Sequence, residues 1–204
     1  MSLPTDIDVP YGFYYIDRDY IDYLRKNGDE HVPKADYEDD GRSQKFYCGP
    51  VMNEYGVNYF VPVSHEVENK GTMSVRDKDT IESYGVFIQN EKGKKVGNLD
   101  FRFMIPCHNN NLLTPYSPSN FGKQQIQFCQ EAKSEICKTA MFAYKNIQSK
   151  DYSFLTNTAI NFDKVNDAMW SYDDERMNRR LLKANTLTKN ISSSIEDDVD
   201  KKYT

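Results

Sequence analysis

KFYCGPVMNEYGVNYFVPVSH, residues 45–65, holds two runs rich in β-branched and aromatic residues, with Asn53-Glu54-Tyr55-Gly56 between them. Runs of this kind around an Asn- and Gly-containing turn are the mark of a β-hairpin. The spacing predicts one strand over Lys45–Met52 and its partner over Val57–Val63, with Gly49-Pro50 marking a bend or an edge. In an antiparallel hairpin the start of one strand lies beside the end of the other. Lys45, with Arg42 just before it, should therefore neighbour Ser64 and His65.

Outward from this hairpin, the pattern continues as sheet and then turns to helix. On the N-terminal side, Gly12–Ile16 (GFYYI) reads as a short aromatic strand. Asp17 can cap a helix carrying Tyr20, Tyr23 and Leu24, and Asn27-Gly28 can stop it. Residues 29–44 form a long polar loop. On the C-terminal side, Ser64–Asp79 is polar and loop-like. Ser83–Gln89 and Lys95–Ile105 predict a second hairpin around Glu91-Lys92-Gly93-Lys94, with Leu99, Phe101 and Phe103 on one face. Beyond the polar stretch after Pro106, a single long helix is expected over Lys123–Gln148. Its apolar stripe runs Ile126, Cys129, Ala132, Ile136, Ala140, Ala143, Ile147. A second helix is expected from Phe162 to Lys183, then a polar tail over 185–204. The fold class is α+β: a twisted antiparallel sheet or partial barrel surrounded by helices, two of them long and C-terminal. No repeat or linker divides residues 1–184, which read as one domain.

Bulk properties exclude several functions. No apolar run approaches the roughly 20 residues of a membrane-spanning helix, and the first ten residues lack the basic start of a secretory signal; a cytoplasmic location is expected. The net charge is −5, but it is unevenly spread. Residues 1–40 carry 4 basic against 11 acidic residues, whereas 41–190 carry 20 against 16. The body is mildly basic, so a nucleic-acid partner remains possible through a local patch. Glycine-rich phosphate loops, HExxH and GxSxG are absent. Cysteines 48, 107, 129 and 137 show no CxxC spacing and read as small buried thiols. No cofactor and no metal site is expected.

An ammonium, a hydroxyl and an imidazole at one end of a hairpin suit RNA cleavage without a metal. The attacking group is then the substrate's own 2′-hydroxyl, and the protein supplies proton transfer and positive charge for the crowded phosphate. In this reading Lys45 holds charge, Ser64 hydrogen-bonds a phosphate oxygen and His65 moves protons. Arg42 and Tyr47 would line the groove, and Lys94, Lys95 and Arg102 would contact RNA backbone.

Four pieces in order resemble one family. Phe13–Lys26 (FYYIDRDYIDYLRK) is similar to its strand and Tyr-rich helix, and Lys45–Val51 to its Lys-x-x-x-Gly strand. Tyr59–His65 (YFVPVSH) looks like its Tyr-Leu-x-Pro-Leu-Thr-Ser, and Phe103–Pro106 like its Tyr-Met-Ile-Pro. The family is that of the endoribonuclease toxins of type III toxin–antitoxin systems, the ToxN/AbiQ family, and the likeness covers about 13–183. It implies a sheet-and-helix fold distantly similar to the Kid/MazF toxins. It also implies metal-independent, sequence-preferring cleavage of single-stranded RNA to a 2′,3′-cyclic phosphate. The implied partner is a small repeated pseudoknot RNA antitoxin that closes a ring with the protein, commonly in phage defence; cellular or phage RNA would be the substrate. By position Lys45 and Ser64 match the family's active-site Lys and Thr. His65 stands where the family has Ser, and Val67 where it tends to have Lys, a place Lys70 could fill. A Tyr expected four residues before Lys45 is Gly41, with Tyr37 and Arg42 nearby. The rival readings are a non-catalytic RNA-binding module and a toxin held by a protein antitoxin.

Overall fold

The computed structural model describes residues 9–36, 44–64, 83–116, 120–149 and 158–176. Among the described residues, seven strands form one open antiparallel sheet. They are β1 (Gly12–Ile16), β2 (Phe46–Glu54), β3 (Val57–Ser64), β4 (Gly85–Gln89), β5 (Lys95–Asp100), β6 (Ile105–Cys107) and β7 (Leu113–Pro115). The order across the sheet is β4-β5-β3-β2-β1-β7, with β6 also paired to β3. Helix α1 (Arg18–Asn27) follows β1 directly, because the Asp17 side chain accepts from the Tyr20 amide and caps it. Tyr20, Ile21 and Leu24 of α1 are fully buried, and the Tyr20 hydroxyl donates to the Pro106 carbonyl over 2.6 Å.

The β2–β3 hairpin forms as expected, and its turn has Tyr55 and Gly56 both at positive φ (50° and 81°), as a two-residue turn requires. Gly49-Pro50 does not lie at an edge. β2 is paired on both sides, and the Gly-Pro pair sits in a bulge between Cys48 and Met52. Gly49 is needed there, since a Cβ would stand 2.6 Å from the Phe60 ring and 3.0 Å from the Tyr59 carbonyl. β7, which pairs with β1, lies in a polar, turn-rich stretch with no strand pattern of its own.

Two expected elements are each divided. Lys95–Ile105 is not one strand. The ladder pairs Ser64 with Asn98 and Val63 with Leu99, then resumes with Phe60 opposite Ile105. Between these pairs, Phe101–Phe103 leaves the sheet as a turn of 3₁₀ helix. The cause is Asp100, whose carboxylate accepts from the Arg102 amide and grips the Arg102 guanidinium at 2.6 Å. Leu99 and Phe101 are buried, but so is Arg102, and Phe103 is half-buried, so the alternation fails. The long helix is likewise two, α2 (Asn120–Glu131) and α3 (Lys133–Gln148). At Ala132 ψ is 6°, well off the helical value, although the bonds to Phe128 and from Ile136 keep the two in line of sequence. The stripe survives the kink: Cys129, Ile136, Ala140 and Ala143 are fully buried.

Helices α2 and α3 pack on the sheet, α2 against β1 and β4, α3 against β2 and β4. Residues 162–169 begin a further helix, α4, with Phe162, Val165 and Met169 buried. The chain divides into two compact units, 1–169 and 170–204. In the second, residues 170–176 are described and are helical. The polar tail over 185–204 lies outside the described residues. Among the described residues no helix is long and apolar enough to cross a membrane.

Candidate functional site

The site grows from the ladder at the open end of the central hairpin. Tyr47 pairs with Pro62; Lys45 stands one residue before β2 and Ser64 is the last residue of β3, so both lie at this end of the hairpin. On its other side Ser64 pairs with Asn98, and Asn98 with Phe87. Directly opposed residues of an antiparallel sheet share a face. Ser64, Asn98 and Phe87 therefore make one row across β3, β5 and β4, with Lys45 just before the start of β2. Ser64 is half-buried at the end of β3, where the other face (Val57, Tyr59, Val61, Val63) is buried throughout.

Lys45 is anchored through its backbone. Its amide donates to the Ala35 carbonyl at 2.8 Å, and Asp36 and Gln44 form an isolated antiparallel bridge. The returning segment thereby lies along Gln44-Lys45. It brings Lys34 with it, while Arg25 donates from α1 to the Val32 carbonyl. Burial lowers the Lys45 ammonium below the usual lysine range; the like charges of Arg25 and Lys34 push in the same direction, and Asp36 opposes them. Asp36 is shared with Arg18 at 2.9 Å. Gln44 reaches across to the Ile16 carbonyl at 2.8 Å. Beside it opens a cleft of ≈ 370 Å³ lined by Tyr15, Ile16, Asp17, Arg18, Gln44 and Thr114 among others.

The remaining expected residues divide by position. Lys94 is exposed at the tip of the β4–β5 hairpin, and the Lys95 ammonium stands 3.7 Å over the Phe87 ring, at the far end of the row. Tyr47 is fully buried between Tyr14 and Pro62, so its ring is part of the core and not of a groove. Arg102 is 8% exposed and bonded to Asp100 and Thr158, and its carbonyl accepts from the Ile160 amide. That guanidinium serves the 3₁₀ turn. Arg42, His65 and Lys70 lie outside the described residues.

Sequence reasoning passed over Asn98 and Gln125, both buried and polar, at 4% and 1% exposure. A polar residue amid inward-facing apolar ones was the available signal for Asn98. It also passed over Arg25 and Lys34, whose nearness to Lys45 depends on the 36–44 bridge.

A family model described as Toxin ToxN, type III toxin-antitoxin system, matches residues 12–170. Solved structures that share the fold include the following three. One is AbiQ, a lactococcal anti-phage endoribonuclease of the type III toxin–antitoxin systems: TM-score 0.67, 19% identity, 81% of this chain and 99% of that one covered. The second comes from work on type III systems and selective toxin inhibition by a non-coding RNA pseudoknot: TM-score 0.64, 22% identity, 79% and 96% covered. The third is from a bacterial antiviral system regulated by a processed non-coding RNA: TM-score 0.53, 18% identity, 72% and 95% covered. No curated protein matches the chain by sequence.

Proposed function

The chain belongs to the ToxN toxin family of type III toxin–antitoxin systems, and from that membership we propose that it is an endoribonuclease acting on single-stranded RNA without a metal ion. The observation that carries this reading is that Lys45, just before β2, and Ser64, the last residue of β3, lie at the same end of the hairpin. The substrate's 2′-oxygen attacks phosphorus, the bond to the 5′-oxygen breaks, and a 2′,3′-cyclic phosphate remains. Lys45 neutralises charge gathering on the phosphoryl oxygens, and Ser64 donates a hydrogen bond to one of them. His65 exchanges protons with the attacking or leaving oxygen. Arg25 and Lys34 extend the cationic shelf beside Lys45 and explain how a chain of net charge −5 attracts RNA locally.

Inhibition is by a small pseudoknot RNA antitoxin that occupies the same shelf and joins protein copies into a closed ring. AbiQ is described as an anti-phage endoribonuclease, and a neighbouring system as one whose toxin is inhibited by an RNA pseudoknot. Both descriptions support this reading, with phage defence as the setting.

The test is incubation of RNA-stripped protein with a long single-stranded RNA in EDTA, beside Ser64→Ala and His65→Ala variants. Discrete fragments ending in cyclic phosphate, lost in Ser64→Ala, are expected. Cleavage that stops in EDTA, or fragments ending in a 3′-hydroxyl, would overturn the chemistry. Full activity in His65→Ala would remove His65 from it. Absorbance at 260 nm in the material before stripping reads the antitoxin, and a second gel band would point instead to a protein inhibitor.

A further inference from the structure

Gln125 is an unusual residue for its place. It lies on α2, faces the sheet and is 1% exposed. Its Nε2 donates to the Val96 carbonyl at 3.3 Å, and its Oε1 has no hydrogen-bond partner among the described residues. The amide cannot be turned over, since Oε1 would then oppose the Val96 carbonyl. A methionine or leucine would fill the same space with no polar atom to desolvate.

What Gln125 touches gives it a purpose. Next to Val96 is Gly97, and a Cβ there would stand 3.4 Å from the Gln125 Nε2 and 2.6 Å from the Ser64 carbonyl oxygen. The second distance is to backbone, so no side chain fits. β5 thus approaches the end of β3 more closely than any other residue would permit, and Gln125 lies against the β5 backbone at that point. Asn98, the next residue, is the ladder partner of Ser64. Gln125, Val96, Gly97 and Ser64 form a continuous chain of contacts from helix to site.

We propose that Gln125 is a positioning residue of the active site, holding the Val96-Gly97 backbone so that Ser64 is fixed against the phosphate. This rests on the nuclease reading above. Ser64 ends its strand, and a strand end held only by its own ladder frays. A hydrogen bond from a helix that packs on the sheet fixes β5, and the close Gly97 contact passes that constraint to Ser64. Small displacements of a phosphate-binding hydroxyl are costly to turnover and nearly neutral to binding, because the transition state demands the tighter geometry.

The experiment compares Gln125→Met, Gly97→Ala and Ser64→Ala with the natural protein. It measures kcat and KM on a cleavable RNA, Kd for a 2′-deoxy-substituted RNA that cannot be cut, and Tm. Gln125→Met is expected to keep or raise Tm, leave KM and Kd within about twofold and lower kcat at least tenfold. Gly97→Ala, acting on the same contact from the other side, should lower kcat with Kd kept. A folded Gln125→Met or Gly97→Ala enzyme with the natural kcat, beside an inactive Ser64→Ala, overturns the positioning role and leaves the nuclease reading intact. So does a Gln125→Met variant whose Tm and kcat fall while its Kd rises. If Ser64→Ala cuts as well as the natural protein, the nuclease reading at this site fails and the inference with it.

Discussion

Ser64 and Asn98 are direct partners in the antiparallel ladder between β3 and β5, with both side chains on one face of the sheet. Directly opposed residues have Cβ atoms about 5 Å apart, so a charge placed at 98 acts on whatever Ser64 binds. Asn98→Asp changes one atom type and little volume. Because Asn98 is 4% exposed, its replacement is poorly screened by solvent. A phosphate held by Ser64 would then face a carboxylate. Cleavage should fall by about 10²-fold or more, taking a repulsion of roughly 3 kcal/mol at this distance. The loss should deepen as pH rises through the carboxyl's own, burial-raised range. Single-turnover rates from pH 5 to 8 test this; a flat profile at the natural rate would detach Ser64 from phosphate.

Lys45 yields a prediction with opposite signs for stability and activity. Its folded-state range is lowered, chiefly by burial and then by Arg25 and Lys34. Below that range it is protonated folded and unfolded alike, and the fold bears the cost of the charge. Between the lowered folded value and the ordinary value near 10.4, the unfolded chain holds more proton, so stability contributed by this group rises with pH. Lys45→Met should therefore raise Tm near neutral pH while reducing kcat by about 10²–10³-fold. In the natural enzyme the alkaline limb of activity should fall below the pH of an ordinary lysine. Lys45→Arg, which stays charged, should move that limb upward even if its rate is lower. Calorimetry and a pH–rate profile together decide it, and a lower Tm in Lys45→Met would contradict the burial argument.

The sequence made the central hairpin readable because its turn and both strands follow local rules: Asn and Gly at the turn, β-branched and aromatic residues around it. That alone puts Lys45 and Ser64 at one end of the hairpin. The parts not readable depend on contacts between distant segments. Asp100 reads as one more strand residue until its carboxylate is seen to grip Arg102 and end β5. Arg102, taken for an RNA contact, is consumed by the same interaction. Tyr47 reads as an aromatic for RNA, but pairing on both sides of β2 buries it. β7 is short and polar and exists through its ladder with β1. Arg25 and Lys34 join Lys45 only because Asp36 bridges to Gln44. Each case turns on long-range pairing, which no local pattern encodes.

The basic tip of the β4–β5 hairpin predicts a binding effect separable from catalysis. Lys94 is exposed, and Lys95 stands over Phe87 in the row that contains Ser64. If both reach phosphates of a single strand, removing them releases two fewer counterions. Lys94→Ala with Lys95→Ala should weaken RNA binding and flatten the plot of log K against log salt by about 1.4, from roughly 0.7 per contact. The rate of bound RNA should change little. Titrations of a 2′-deoxy-substituted RNA between about 50 and 300 mM salt measure it. An unchanged slope would assign these lysines to solvent.

Arg102 should behave in the opposite way. Its guanidinium and the Asp100 carboxylate are 10% and 13% exposed, and they meet at 2.6 Å, with Thr158 a further acceptor at 3.2 Å. Arg102→Leu leaves Asp100 as an unpaired, largely buried carboxylate and removes the group that shapes the 3₁₀ turn. Breaking one side of a buried pair costs about 3–5 kcal/mol. For a chain of this size that lowers Tm by on the order of 10 °C. Replacing both residues, Asp100→Leu with Arg102→Leu, removes the unpaired charge and should recover a large part of the loss. RNA affinity of the folded single variant should stay within about twofold, since no phosphate contact is lost. A single variant of natural Tm but weakened RNA binding would return Arg102 to the RNA surface and move the site's basic edge away from the hairpin tip.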